Sequence, residues 1–336
     1  MNLKEVIKEL TKKYGEGTVM KFTDKKIANI ETISTGSISL DYILGIGGIP
    51  RGRIIEVFGP ESSGKTTLAL SIISQAQKKN LQCAFIDAEH SLDPDYARNI
   101  GVDLSKLFIS QPNSGEQALD IVENIVKSGE IGLVVIDSVA ALTPQAEIDG
   151  VMGQTHIGLQ ARLMSQAMRK LTAITARSNT SILFVNQTRM RIGIKWGNPE
   201  TTTGGTALKF YTSVRIEVRR AAKLTKQEEI IGNRVKVKIA KNKLAAPFKT
   251  TEFDIIFGKG ISFESDLINF GVKHNVITKK GNSLLYKDEK LGRGLESSKA
   301  FLESRPDLVE KIVNSIKKKM LDGQDTKENK TLNTSE

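Results

Sequence analysis

The sequence predicts an α/β fold with a mostly parallel sheet, covered by helices and extended by an antiparallel edge. A helical arm precedes this core and a small α/β domain follows it. Three observations carry the prediction. Short runs that are apolar almost throughout, "RIIEVF" (53–58), "CAFID" (83–87), "LFIS" (107–110), "GLVVID" (132–137) and "SILFVNQ" (181–187), are interleaved with helical patterns such as "TTLALSIISQAQKK" and "GEQALDIVENIVKSG". Strands lacking a polar face and separated by helices belong to parallel sheets buried on both sides. Further along, "SVRIEVRR", "RVKVKIA" and "TTEFDIIF" alternate apolar with polar residues, as antiparallel strands joined by turns do. From about residue 262 the texture changes to helices around one hairpin-like element.

In chain order, Leu3, Val6, Ile7, Leu10 and Tyr14 stand at helical spacing, and predict an amphipathic helix within residues 1–34. Such a helix can pack on its own domain or on a neighbouring subunit. The sheet and its helices fill 35–261. In 262–321, "ESDLINFGVKHNVI" reads as a helix and "SLLYKDEKLG" as a hairpin. "SSKAFLESRP" and "PDLVEKIVNSIKKKM" read as two further helices, the last opening at Pro306, where a missing N–H costs nothing. Residues 322–336 are too polar to join a core and are expected to be a disordered tail.

No apolar run reaches the roughly 20 residues a membrane helix needs, and the N-terminus lacks an apolar signal core. The lone cysteine, Cys83, lies in an apolar run and forms no internal disulfide, so a cytoplasmic setting is expected. Charge is uneven. Residues 1–150 hold 15 Lys+Arg against 20 Asp+Glu, a net of −5, and residues 151–336 hold 34 against 18, a net of +16. A polyanionic partner for the second half follows from this asymmetry, with a solvated basic surface as the alternative.

The chemistry starts at "GPESSGKT", residues 59–66, which matches G-x-x-x-x-G-K-[ST] between an apolar strand and a helix. Gly59, Pro60, Glu61, Ser62, Ser63 and Gly64 form a loop whose backbone N–H groups can curl around phosphates, and the helix that follows adds partial positive charge. Lys65 is expected at the β and γ phosphates and Thr66 on Mg²⁺, with Thr67 beside it. A second acid at a strand end, Asp137 of "GLVVIDS", is expected to hold Mg²⁺ through water. Hydrolysis needs a group that activates water, and Glu89, just past "CAFID", is the candidate. His90 and His156 show no metal-ligand spacing.

Two features of the basic half stand out. The stretch "NQTRMRIGIKWGNPETTTGGT" (186–206) does not alternate like a strand, is rich in Arg, Thr and Gly, and holds the only tryptophan, Trp196. Loops of this length are functional or disordered. In "RVKVKIAKNK", Val235, Val237 and Ile239 form an apolar face, and Lys241 and Lys243 continue the same parity. Lysines on a buried face need anionic partners.

With "GPESSGKT", "IDAEHSLDP", "VVIDSVAAL", "QARLMSQAMRKL", "NPETTTGGTALKFY" and "KIAKNKLAAPF" in this order, the chain resembles the RecA family of bacterial homologous recombinases from its first helix to about residue 321. The resemblance implies an ATPase that polymerises on single-stranded DNA, pairs it with homologous duplex DNA without reading sequence, and exchanges strands in recombinational repair. It also implies co-protease activity toward an SOS repressor, and an oligomerisation role for the arm 1–34. Glu89 then resembles the activating carboxylate, and Gln187 the γ-phosphate sensor that couples nucleotide to DNA. Asp93 and Tyr96 resemble the pair that meets adenine. Lys241 and Lys243 resemble a pair reaching ATP on the adjacent subunit, and Phe257 an aromatic covering the adenine from that neighbour.

Two segments, 147–160 and 188–206, resemble the family's DNA-binding loops. Between them Arg162, Ser165 and Arg169 share one helix face. The DNA set implied is Ile157, Arg162, Ser165, Arg169, Arg189, Met190, Arg191, Ile192, Thr203, Gly204 and Gly205. In it, Arg189 and Arg191 meet phosphates, Ile192 enters a gap between bases, and Gly204 and Gly205 allow backbone approach. Ile157 and Trp196 stand where many relatives have Met and Phe, and the short tail of mixed charge replaces a strongly acidic one. A hexameric helicase with the same core fold is the alternative reading.

Overall fold

The computed structural model describes residues 2–15, 18–19, 30–154, 156, 158–190 and 199–332, with side chains up to residue 319. Ile157, Arg191, Ile192 and Trp196 lie outside the described residues. Residues 1–31 form one unit and residues 32–336 another.

In the first unit α1 (Leu3–Tyr14) starts at a capping box. Asn2 accepts from the Glu5 N–H, and Glu5 accepts from the Asn2 N–H. Lys12 and Lys13 stand in its last turn, where the helix dipole favours cations.

The second unit opens with β1 (Thr32–Ile33), α2 (Ile38–Leu44) and β2 (Ile49–Pro50), with β1 pairing antiparallel to β2. Then strands and helices alternate: β3 (Ile54–Gly59), α3 (Lys65–Lys78), β4 (Gln82–Asp87), α4 (Pro94–Ile100), β5 (Leu107–Ser110), α5 (Gly115–Ser128) and β6 (Ile131–Asp137). Next come α6 (Gln145–Ile148), α7 (Leu159–Ser178), β7 (Ser181–Met190), β8 (Glu200–Thr202) and α8 (Ala207–Tyr211). The edge follows as β9 (Val214–Lys226), β10 (Glu229–Asn242), β11 (Thr250–Ile256) and β12 (Gly260–Ile261).

The main sheet has the order β12-β11-β10-β9-β3-β7-β6-β4-β5, with β8 paired to β7. From β9 to β5 all neighbours are parallel, and β10, β11 and β12 form the antiparallel edge. The apolar strands serve two cores at once. Odd positions such as Ile55, Val57, Phe85, Val135 and Leu183 pack with Leu68, Ile72 and Ile73 of α3. Even positions such as Ile54, Ala84, Ile86, Val134 and Phe184 pack with Val122 and Val126 of α5 and with Met164, Met168 and Leu171 of α7. This two-sided burial is why these strands carry no polar face.

The C-terminal part comprises α9 (Phe263–Lys273), β13 (Ile277–Lys280), β14 (Ser283–Tyr286), β15 (Glu289–Arg293), α10 (Gly294–Glu303) and α11 (Pro306–Leu332). The helix expected across 264–277 stops earlier. Asn275 takes a positive φ of 53°, and Ile277 turns into a strand that pairs with β14. Buried Asp266 ties this part to α2, accepting from the Ser37 hydroxyl at 2.6 Å and the Ser39 N–H at 3.2 Å. The last helix continues past residue 321, into the stretch expected to be disordered. A helix satisfies its backbone internally, so a composition too polar for a core does not by itself forbid one. Among the described residues no helix is long and apolar enough to cross a membrane.

Candidate functional site

In register, Gly59 of β3 pairs with Gln187 of β7, and Asp87 of β4 with Asp137 of β6. These four positions mark the carboxyl edge of the parallel strands, where open α/β sheets bind ligands. The phosphate loop turns here and its glycines are required by packing. A Cβ on Gly59 would lie 2.0 Å from the Val218 carbonyl oxygen, and one on Gly64 2.5 Å from Ile255 Cδ1. Gly64 also takes a φ of +93° and starts α3 with no side-chain cap, so the first N–H groups of the helix remain open to an anion.

Lys65 donates to the Pro60 carbonyl at 2.6 Å. Burial lowers its pKa, against the pull of Asp137, Glu89 and Glu61. Thr66 Oγ1 donates to Asp137 Oδ2 at 2.6 Å. A hydroxyl and a carboxylate at one point are hard oxygen donors of the kind Mg²⁺ takes, so the residues fit that ion. Burial pushes Asp137 up to about 6, with Glu89 adding to the rise. Glu89 Oε1 accepts from the Ser138 hydroxyl and from Gln187 Nε2, the latter at 3.1 Å.

A cleft of about 440 Å³ lies above the loop, lined by Ser62 to Thr67, Tyr96, Arg220, Asn233, Val235, Ile255 and Phe257. Tyr96 and Thr67 share a hydrogen bond of 2.7 Å. Asp93 caps α4, its Oδ1 accepting from the N–H groups of Asp95 and Tyr96. Phe257, 54 % exposed, lines the cleft of its own chain. The antiparallel pairing of β10 and β11 brings it to this cleft, beside the phosphate loop of its own chain, whereas the family resemblance expects it over a neighbour's nucleotide.

The two lysines require a correction. A bulge lies between Ile239, paired with Ile216, and Lys241, paired with Arg215. Cross-strand partners share a face, so Lys241 sits opposite the Val235–Ile239 face, and Lys243 is exposed. Their partners are carbonyls at the end of α8. Lys241 Nζ donates to Lys209 O at 2.6 Å and Phe210 O at 2.9 Å, and Lys243 Nζ donates to Phe210 O at 3.3 Å. Burial, then Lys243 and Arg215, push Lys241 down to about 8.

The stretch 186–206 is not strandless among its described residues. Thr188, Arg189 and Met190 pair with Thr202, Thr201 and Glu200 as a two-stranded ribbon. Ladder bonds need no apolar alternation, so the pattern hid it. Thr203 closes the base, donating to Asn186 Oδ1 at 2.5 Å. Asn186 Nδ2 in turn donates to buried Glu56, which also pairs with Arg215 at 2.5 Å. Gly204 and Gly205 have φ near +78°, and Cβ atoms there would meet Val139 and Ala161 at 2.8 Å, so chain packing already demands them. Arg162, Arg169, Arg189 and Met190 are exposed, and Ser165 bonds back to the Ala161 carbonyl. Sequence reasoning missed Ser138, Arg220, Asn233 and the Glu56–Arg215 pair, none of which lies in a spacing that announces it.

A phosphate loop at the end of a central parallel strand, with an acid on a nearby strand end, defines a nucleotide-binding protein of the P-loop class. Residues 1–262 match the RecA N-terminal domain model and residues 265–321 the RecA C-terminal domain model. Protein RecA of Campylobacter jejuni is 57 % identical over 320 residues, covering 95 % of this chain and 93 % of that one. Protein RecA of Nitratiruptor sp. is 58 % identical over 315 residues (94 % and 92 %), and that of Campylobacter lari 58 % over 316 (94 % and 92 %). The chain belongs to the RecA family, and its function is that of a homologous recombinase.

Proposed function

We propose that the chain hydrolyses ATP in a DNA-dependent manner while assembled as a helical filament on single-stranded DNA, and that it pairs this DNA with homologous duplex. The observation that carries the reading is the contact between Glu89 and Gln187. It joins the candidate base beside the phosphate loop to the strand that runs into the long basic loop.

In this scheme the loop N–H groups and Lys65 bind the phosphates, and Thr66 and Asp137 would hold Mg²⁺. When bound, Mg²⁺ neutralises charge on the phosphate oxygens. Glu89 takes a proton from the attacking water. Tyr96 and Phe257 flank the base, and Asp93 Oδ2 is left for its amino group. Lys241 and Lys243 serve the neighbouring subunit's nucleotide. Arg162, Arg169 and Arg189 bind DNA phosphates without reading bases. A cytoplasmic location and co-protease action on an SOS repressor belong to the same proposal.

Electron microscopy on single-stranded DNA with a non-hydrolysable ATP analogue tests it. Open helical filaments are expected, and closed rings would favour the helicase alternative. A strand-exchange assay with purified protein tests the pairing step.

A further inference from the structure

Ser138 follows Asp137 at the end of β6 and is 1 % exposed. It occupies the N-cap position of the 3₁₀ turn Val139–Ala141, where a serine ordinarily bonds a backbone N–H of the turn. Here it makes no such bond. Its hydroxyl is turned instead onto Glu89 Oε1. Gln187 Nε2 donates to the same oxygen at 3.1 Å. A carboxylate oxygen offers two lone-pair sites, so Oε1 is filled and Oε2 is the oxygen left to receive a proton.

The backbone completes the grip. The N–H groups of Ala88 and Glu89 both donate to the Asp137 carbonyl, at 2.8 and 3.3 Å. Two consecutive residues of one strand end therefore hold Glu89, Asp137 through its main chain and Ser138 through its side chain. Of the two donors on Oε1, Ser138 is buried just past the end of β6. Gln187 is half-buried on the strand that leads into the basic loop.

Resting on the reading of Glu89 as the base, we propose that Ser138 is a positioning residue for hydrolysis. Its hydroxyl fixes the Glu89 carboxylate so that Oε2 faces the attacking water, and it is the tether that stays when Gln187 engages the nucleotide.

The test is steady-state ATP turnover on single-stranded DNA. Ser138→Ala is expected to lower kcat by about tenfold to a hundredfold, the range for a displaced catalytic group, with KM for ATP, DNA affinity and Tm unchanged. Ser138→Thr, which keeps the hydroxyl, is expected to recover most of the rate. In a Glu89→Gln background, Ser138→Ala is expected to slow turnover no further. Wild-type kcat in Ser138→Ala overturns the proposal. So does an equal further loss in the Glu89→Gln background, because the serine would then act through another group. If Ser138→Ala does not fold, Ser138→Cys, a weaker donor of similar shape, carries the same expectation and the same refutation. Normal turnover by Glu89→Gln alone sinks the base reading itself. A dead Glu89→Gln beside a fully active Ser138→Ala sinks only the role of the serine.

Discussion

The ends of β3, β4, β6 and β7 and the antiparallel strands β10 and β11 both line the candidate site, but they are built differently. On the parallel side the functional groups are locked to one another. Thr66 bonds Asp137, Ser138 and Gln187 bond Glu89, and Lys65 is held by the loop it belongs to. On the antiparallel side the groups stand free or lean on main chain. Phe257 is largely exposed, and Lys241 and Lys243 rest on the carbonyls of α8. The difference indicates that the parallel ends hold chemistry whose geometry is set in the isolated chain. The antiparallel edge offers side chains that a bound nucleotide or a neighbouring subunit can recruit.

The largest expected effect is on the locked side. Lys65→Ala removes the charge proposed to meet the phosphates and is expected to cut turnover by at least about a thousandfold. Near-normal turnover would break the assignment of the loop. Glu89→Gln is expected to bind ATP and DNA normally yet hydrolyse about a hundredfold more slowly, leaving persistent filaments.

On the open edge the effects are smaller and divide in two. If its ammonium serves the adjacent site, as proposed above, Lys243→Ala is expected to leave nucleotide binding by monomers intact and to lower DNA-stimulated turnover about tenfold. Phe257→Ala is expected to weaken nucleotide binding by the monomer itself by roughly 1 kcal/mol, about fivefold. Equilibrium binding of a fluorescent ATP analogue to dilute protein separates the two. If Lys243→Ala also weakened monomer binding, the edge would be no more than part of the chain's own pocket.

The smallest effect lies outside both regions. Asp41 accepts from Ser34 and Thr35, and burial pushes it up to about 6. A carboxyl whose pKa is raised in the folded state binds its proton more tightly there than in the unfolded chain. Its contribution to stability therefore falls as pH rises from about 4 to 6 and is level above that. Thermal melts of wild type and Asp41→Asn should shift in favour of the variant across that window, while ATP turnover at neutral pH stays the same. A constant difference would show that Asp41 is not protonated in the fold.

The same contrast explains what could be read from the residues alone. Gly59 to Thr66 are contiguous, and Asp137 ends an apolar run, so their chemistry is written locally. The contact between Glu89 and Gln187 spans 98 positions and depends on strand order, so no spacing shows it. The parity argument for Lys241 and Lys243 failed at one bulge, where Ala240 is an ordinary residue that marks no irregularity. The place of Phe257 beside its own phosphate loop is likewise invisible in the residues, because only the β10–β11 pairing brings it there. Ser138 carries no signal in the sequence, and only its contact with Glu89 sets it apart. The ribbon at the base of the basic loop was hidden by threonines and charges, which pair through backbone as readily as apolar residues do.

The central claim is that the nucleotide site and the DNA loop communicate through the Glu89–Gln187 contact. Steady-state ATP turnover, measured with and without single-stranded DNA for wild type and Gln187→Ala, tests it most directly. The account predicts strong stimulation of the wild type by DNA and turnover in Gln187→Ala that no longer responds to it. A wild type indifferent to DNA, or a Gln187→Ala variant stimulated as fully as wild type, would contradict it.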